Sequence, residues 1–265
     1  MESKGKLVPK NERILRAAEA VFSKKGYRQA TLDEIVKIAD TGKGTVYKYF
    51  NNKENLFYTL IHMKNEVLLD ALRHSVYEYT TFEDRFRHYF RALTLFLDKN
   101  IVLWSVLLLE IMSPQAGWQL IWNDEKEDYD VVTRWGKDPS LAEIETQRRY
   151  FDIIRSEVEQ LRRIFQRGVD DKFLKPVGDM KRMSGNIYFS YTMTILQGFI
   201  TPTNMDEAIE LFLDRFLHGP LQPKGVACGV RMKQQRRLSF GTASFLWFYN
   251  KCWGEEIFFP HPIFA

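Results

Sequence analysis

The stretch TLDEIVKIADTGKGTVYKYF, residues 31–50, decides the fold, because it reads as two short helices joined by a tight turn. Thr31 is an N-cap, with Asp33 and Glu34 in the first turn, where the helix dipole favours negative charge. This helix is expected to bury Leu32, Ile35 and Ile38 and to stop at the turn cluster Asp40-Thr41-Gly42. The second helix starts near Lys43 and ends around Phe50, where Asn51-Asn52 supplies a turn and a further N-cap. Its inward face is Val46 and Phe50, four residues apart, which leaves Tyr47, Lys48 and Tyr49 on the other side.

A lysine between two glycines raises the question of a bound nucleotide. A P-loop needs G-x-x-x-x-G-K-[ST] between a strand and a helix. Here Gly42-Lys43 is followed by Gly44, Lys37 stands where the first glycine belongs, and the preceding segment is helical. The alternative is a helix-turn-helix, whose second helix enters the major groove of DNA and offers contacts from its N-terminal residues. Gly44 lets the backbone come close, Thr45 can touch a base edge or a thymine methyl, and Lys43 can reach guanine O6/N7 or a phosphate. Hydroxyl and ammonium groups on Tyr47, Lys48 and Tyr49 suit phosphates.

Upstream, Ile14, Leu15, Ala18, Val21 and Phe22 recur at spacings of three and four, the stripe of an amphipathic helix that Gly26 closes. Downstream, Leu56, Leu60, Met63, Val67, Leu68, Ala71 and Leu72 predict a long helix from Lys53. Further helices are expected over 82–99, 101–112, about 140–169, about 179–199 and 205–218, with no strand before residue 219. The body is therefore read as all-α. Residues 113–139, with Trp118, Trp122 and Trp135 around NDEKEDYD, read as an insertion or long connection. Residues 219–265 hold four prolines, nine aromatics and no helical period, and read as a C-terminal extension.

Net charge is +4 over 265 residues, but it is unevenly spread: +6 in residues 1–53, −6 in 54–218 and +4 in 219–265. A basic head on an acidic body presents one end to a polyanion. Cys228 and Cys252 have no metal-ligand spacing, so neither a zinc site nor a disulfide framework is expected. The N-terminus lacks the apolar stretch of a signal peptide, and the run Ile101–Leu109 is far short of a membrane span, so a cytoplasmic protein with no membrane partner is expected. The five histidines are scattered and no acid-base or nucleophile pair stands out, so no catalytic residue, metal or cofactor is expected.

Residues 12–57 resemble the N-terminal DNA-binding domain of the tetracycline-repressor family. The likeness is carried by Ala17, Phe22, Gly26, Tyr27, Thr31, Ile35, Ala39, Lys43-Gly44-Thr45-Val46-Tyr47, Tyr49-Phe50, Lys53-Glu54 and Leu56. Residues 166–179 are similar to the turn before that family's last two helices. The chain departs from the common Gly-Val-Ser of the turn, which is here Asp40-Thr41-Gly42; Asp tolerates a left-handed conformation, so the turn can still form. The resemblance implies a three-helix helix-turn-helix domain over 1–52 and a helical ligand-binding and dimerisation domain over 53–218. Thr31 would cap the second helix and meet a phosphate. Gly42, Lys43, Gly44 and Thr45 would lie in the groove, Tyr47, Lys48 and Tyr49 beside the backbone, and Lys53 on a phosphate.

The same resemblance implies a homodimeric repressor on a palindromic double-stranded operator, released by a small-molecule effector. Ile187, Met193, Leu196, Phe212 and Phe216 are the candidates for the dimer interface, in two helices too apolar for one exposed face. Met63, Phe86, Phe90, Trp104, Tyr150 and Phe151 could line a pocket for an apolar or aromatic ligand, although such residues at helical spacing are usually core. Two other readings stay open at this point: an architectural DNA-binding protein without a sensor, and a nucleotide-binding enzyme.

Overall fold

The computed structural model describes residues 9–112, 117–123, 125–176 and 178–218; the extension over 219–265 lies outside them. In chain order the elements are α1 Lys10–Gln29, α2 Leu32–Ile38, α3 Lys43–Phe50, α4 Lys53–Tyr77, α5 Phe82–Met112, β1 Trp118–Asn123, β2 Asp128–Thr133, α6 Leu141–Asp170, α7 Met180–Leu196 and α8 Met205–His218. They divide into two compact units, one within Met1–Asp70 and Lys99–Glu157, the other within Ala71–Asp98 and Val158–Ala265.

In the first unit, α1, α2 and α3 close a small core of Ile14, Ala18, Phe22, Ile35, Ala39 and Val46, each buried. Gly26 leaves helical geometry at φ 73, a value that penalises any side chain with a Cβ, and the chain makes one more turn before Ala30. Thr31 and Glu34 form a reciprocal capping box at the start of α2: Glu34 N donates to Thr31 Oγ1 at 3.3 Å, and Thr31 N to Glu34 Oε2 at 3.4 Å. Ile38 departs from expectation. It is 59% exposed rather than buried, because seven residues of helix turn only Ile35 fully towards α1.

The turn after α2 is gripped from α1. Arg13 donates from Nε and Nη2 to the Ala39 carbonyl at 3.1 and 2.6 Å, and from Nη2 to the Asp40 carbonyl at 2.5 Å and carboxylate at 3.0 Å. Asp40 sits at φ 47, the left-handed conformation expected of the turn.

α5 runs from Phe82 to Met112 but leaves helical geometry at Asn100 (φ −120, ψ 20), the position at which the sequence places the break between two helices. As one helix it is long and apolar enough to cross a membrane by length and composition. Part of its apolar surface is taken up by protein: Leu103, Trp104 and Leu107 are buried in the first unit and Phe86, Phe90 and Leu93 in the second, while Leu95, Val102 and Leu109 stay exposed. One expectation is corrected: the segment read as a connection without strands carries an antiparallel hairpin pairing Trp118 with Thr133, Leu120 with Val131 and Trp122 with Tyr129. Trp118, Leu120 and Trp122 stand on one side of β1 opposite Thr133, Val131 and Tyr129, and Asn123 Oδ1 accepts from Glu125 N and Lys126 N to start the turn. The hairpin is held on α6 by the Arg155 guanidinium 3.4 Å from the Trp122 ring centroid, by Tyr129 Oη donating to Asp152, and by the Arg148–Asp128 ion pair.

The second unit is built on an aromatic cluster. Phe86 lies 4.5 Å from Phe90, Phe90 lies 4.4 Å from Tyr191, and Phe82, Phe165, Phe212 and Phe216 complete it. Arg85, nearly buried, bonds the Tyr79 carbonyl and the Asp171 carboxylate, both at 2.8 Å.

Replacing Arg13 by Met removes the fork from the α2–α3 turn and is expected to lower stability by about 1–3 kcal/mol in urea unfolding. Arg13→Lys is expected to recover little of this, since an ammonium cannot span the two carbonyls as a planar guanidinium does.

Candidate nucleic-acid interface

α3 shows two different faces. Val46 and Phe50 are buried, whereas Gly42, Lys43, Gly44, Tyr47, Lys48 and Tyr49 are exposed and Thr45 is half-buried. The side chains of Tyr47 and Tyr49 are 52% and 50% exposed. Gly42, the N-cap, has φ −92 and no side chain to cap the amides of Lys43 and Gly44, while its carbonyl accepts from Thr45 N at 2.9 Å. A Cβ on Gly42 or on Gly44 would meet nothing within 4 Å among the described residues. Internal packing and backbone strain therefore require glycine at neither position. What both glycines do is bare the backbone on the outer side of the helix start.

Lys43 Nζ stands 2.6 Å from Asp33 Oδ1 on α2, and this pair holds the lysine pKa above its ordinary value through the hydrogen bond and then the charge of Asp33. Lys25 pairs with Glu34, whose carboxyl is held below its usual range by that bond first. Thr31, expected on a phosphate, is exposed beside them.

Lys53 has a further occupation that the sequence reading did not anticipate. Its ammonium donates to the carbonyls of Tyr27 at 3.0 Å and Ala30 at 3.1 Å, the last carbonyls before α2, and lies 4.5 Å from the Tyr27 ring centroid. Two of its three donors are thus engaged inside the head. Tyr27 in turn packs between Phe22 and Phe57, at 6.0 and 5.1 Å. No short motif announces this joint, because its partners lie 23 and 26 residues apart in the chain.

The first turns of α4 are tied to α6 within the same unit. Thr146 bonds Glu54, Arg149 donates to Asn55 Oδ1 at 3.2 Å, and Tyr150 packs edge-on to Phe57 at 6.1 Å. Gln147 donates to the carbonyls of Glu110 and Ile111 near the end of α5. Of the candidate ligand-lining residues, Met63 is half exposed, Trp104 and Tyr150 are buried and Phe151 is half-buried in the first unit. Phe86 and Phe90 belong to the aromatic cluster of the second. The candidate interface residues Ile187, Met193, Leu196, Phe212 and Phe216 are all half-buried, while Tyr188, Tyr191 and Ile195 form the inward side of α7.

The Tyr27 phenol is pushed up from 10.0 to about 12, by burial first and then by the carboxylates of Glu54 and Glu110. The folded head keeps this proton at pH values where the unfolded chain gives it up. Its contribution is therefore complete below pH 10.0 and is lost as pH rises towards about 12. Urea midpoints are expected to fall across that window, and less steeply in Tyr27→Phe.

The family model for bacterial regulatory proteins of the tetR family matches residues 14–59. Over 53 residues, 20% of this chain and 28% of the relative, the sequence is 40% identical to the HTH-type transcriptional regulator QacR of Staphylococcus aureus. It is 31% identical over 77 residues, 29% of this chain and 40% of the relative, to the fatty acid metabolism regulator protein of Bacillus subtilis. The matched segments thus span well under half of these relatives' own length. The fold extends further. The transcriptional regulator FadR from Bacillus subtilis, solved in complex with stearoyl-CoA, aligns at a TM-score of 0.59 and 18% identity over 79% of this chain and 99% of its own. The regulator PfmR from Thermus thermophilus aligns at 0.56 and 18% over 79% and 100%. Residues 14–59 thus carry the DNA-binding domain of the tetR family of bacterial regulatory proteins, and the capped α2, the left-handed turn and the bared start of α3 are its parts.

Proposed function

We propose that this protein is a transcriptional repressor that binds a palindromic operator as a homodimer and leaves it when a small apolar or aromatic effector binds the helical body. The observation that carries the DNA-binding part is the outer side of α3: two glycines that nothing among the described residues requires, next to Lys43, Thr45 and the exposed phenols of Tyr47 and Tyr49. Such a surface costs helix stability and gains nothing unless a partner comes close. Residues 1–52 form the reading head in this proposal. Residues 53–218 form the sensing and dimerising body, with 113–139 an insertion in it. Two heads related by a two-fold axis reach half-sites about 34–36 Å apart. Thr31, Lys48 and the remaining donor of Lys53 supply phosphate contacts at the edges.

The half-buried residues Ile187, Met193, Leu196, Phe212 and Phe216 support a pairing surface on α7 and α8, since apolar side chains left half open in one chain are covered in a pair. For the effector, the stearoyl-CoA held by a protein of the same fold supports an apolar ligand as the first class to test. No enzymatic activity, cofactor or membrane attachment forms part of the proposal, and the cytoplasm is its place of action.

Selection of bound fragments from a random duplex pool, followed by a salt titration, tests the reading. Gly44→Ala separates fold from function. It is expected to raise helix stability by about 0.5–1 kcal/mol while weakening the selected operator, because the new methyl stands where DNA approaches. Lys43→Ala is expected to cost about 1–3 kcal/mol of operator affinity. Equal operator affinity in Gly44→Ala and wild type would remove α3 as the reading helix. Leu196→Glu is expected to shift the protein from dimer to monomer in sedimentation equilibrium without loss of helix content.

A further inference from the structure

The ion pair between Asp33 and Lys43 is out of place on a surface meant for a polyanion. A carboxylate there repels phosphate, and it cancels the charge of the lysine nearest the bared start of α3. The α2 cap does not need it, because Thr31 and Glu34 make the capping box between them. Stability does not need it either: the two side chains are 69% and 52% exposed, and an exposed pair of this kind contributes little. Within the fold Asp33 serves only as a first-turn charge on the α2 dipole, a role that Glu34 shares, and its pairing with Lys43 is what recognition can use. The neighbouring groups are the Lys37 ammonium one turn further along α2 and the Tyr47 hydroxyl one turn along α3, the latter near enough to Lys43 to act on its charge.

We propose that Asp33 is a specificity-determining residue, which acts with Lys43 as a donor–acceptor pair reading a G·C base pair in the major groove. This rests on the DNA-binding reading above and deepens it. In the free protein the carboxylate holds the ammonium at 2.6 Å. On random DNA the pair stays closed: Lys43 is already neutralised, releases no counterion, and brings a carboxylate towards the phosphates. A G·C pair is the edge that opens it, since the groove there shows guanine O6 and N7 as acceptors beside the cytosine N4 amino group as donor. The ammonium donates to guanine, the carboxylate accepts from cytosine, and neither charge is left without a partner. An A·T pair fails this test less visibly but still fails, because its adenine donor and acceptors are arranged differently and its thymine methyl stands where a carboxylate would have to come. The acid thus weakens every contact except the correct one, which is how a repulsive element raises discrimination.

The experiment compares full-length wild type, Asp33→Asn and Asp33→Glu on the operator selected by wild type and on a random duplex, each over a range of salt. Asp33→Asn is expected to bind the random duplex about tenfold tighter, with a log–log salt slope steeper by about 1, as one more phosphate is neutralised. Its ratio of operator to random affinity is expected to fall by about 10- to 100-fold, and reselection should lose one G·C preference per half-site. Asp33→Glu keeps the charge and is expected to keep that preference. In a Lys43→Ala background, Asp33→Asn should no longer steepen the slope, because the lysine it would release is gone. A purely structural role for Asp33 would move operator and random affinity by the same factor. That result, or an Asp33→Asn ratio and slope equal to wild type, overturns the proposal while leaving DNA binding intact. If wild type itself shows no salt-sensitive binding to any duplex, the DNA-binding reading falls, and this inference with it.

Discussion

Arg13 closes the α2–α3 turn, and the geometry of the head depends on that contact. A short helix followed by a tight turn leaves carbonyls without intrahelical partners, and here they are those of Ala39 and Asp40. One planar guanidinium collects both and adds the Asp40 carboxylate, so the turn is fixed from a third helix instead of by its own sequence. The direction in which α3 leaves the turn follows from this grip and from the packing of Val46 and Phe50. Helices of seven and eight residues are too short to persist alone. Their outer face can be polar and thinly packed only because their inner face is held elsewhere.

Lys53 plays the matching part at the other end of α2. It binds the last carbonyls before that helix and stacks on Tyr27, whose ring bridges Phe22 of α1 and Phe57 of α4. The head is thus joined to the start of α4 by an ammonium and by three aromatic rings. The start of α4 is in turn fastened to α6 through Glu54, Asn55 and Phe57, and α6 carries the hairpin. Within this unit a displacement of α6 cannot leave the beginning of α4 unaffected, because buried rings and paired polar groups are shared between them. Under the function proposed above, this is the joint through which α6 and the start of α4 would act on the head.

Much of the head was legible in residues 31–57. Thr31 predicts the N-cap of α2, which the structure completes with Glu34 as a capping box, and Asn52 predicts the cap of α4, which its side chain makes by accepting from Asn55 N at 2.7 Å. Val46 and Phe50, four apart, predict the inner side of α3, and the structure buries both. These are contacts within one turn of helix, so neighbouring residues report them. Ile38 misled for the opposite reason: apolar spacing marks a stripe but cannot say that the core closes over Ile35 and Ala39 and leaves Ile38 outside. The hairpin was hidden because its strands are six residues each and their pairing is visible only once Trp122 and Tyr129 meet.

The sequence by itself determined the class: helical periods along the body, caps and glycines that punctuate them, and a basic head on an acidic trunk. Those are local properties, set by residues within a few positions of one another. The tertiary structure alone decided that Arg13 holds the turn, that Lys53 serves α1 before any phosphate, and that Asp33 neutralises Lys43 on the exposed side. Each of these pairs joins positions 10 to 27 residues apart. Only the closing of three helices around one core brings such charges within hydrogen-bond reach, and no pattern along the chain encodes that distance.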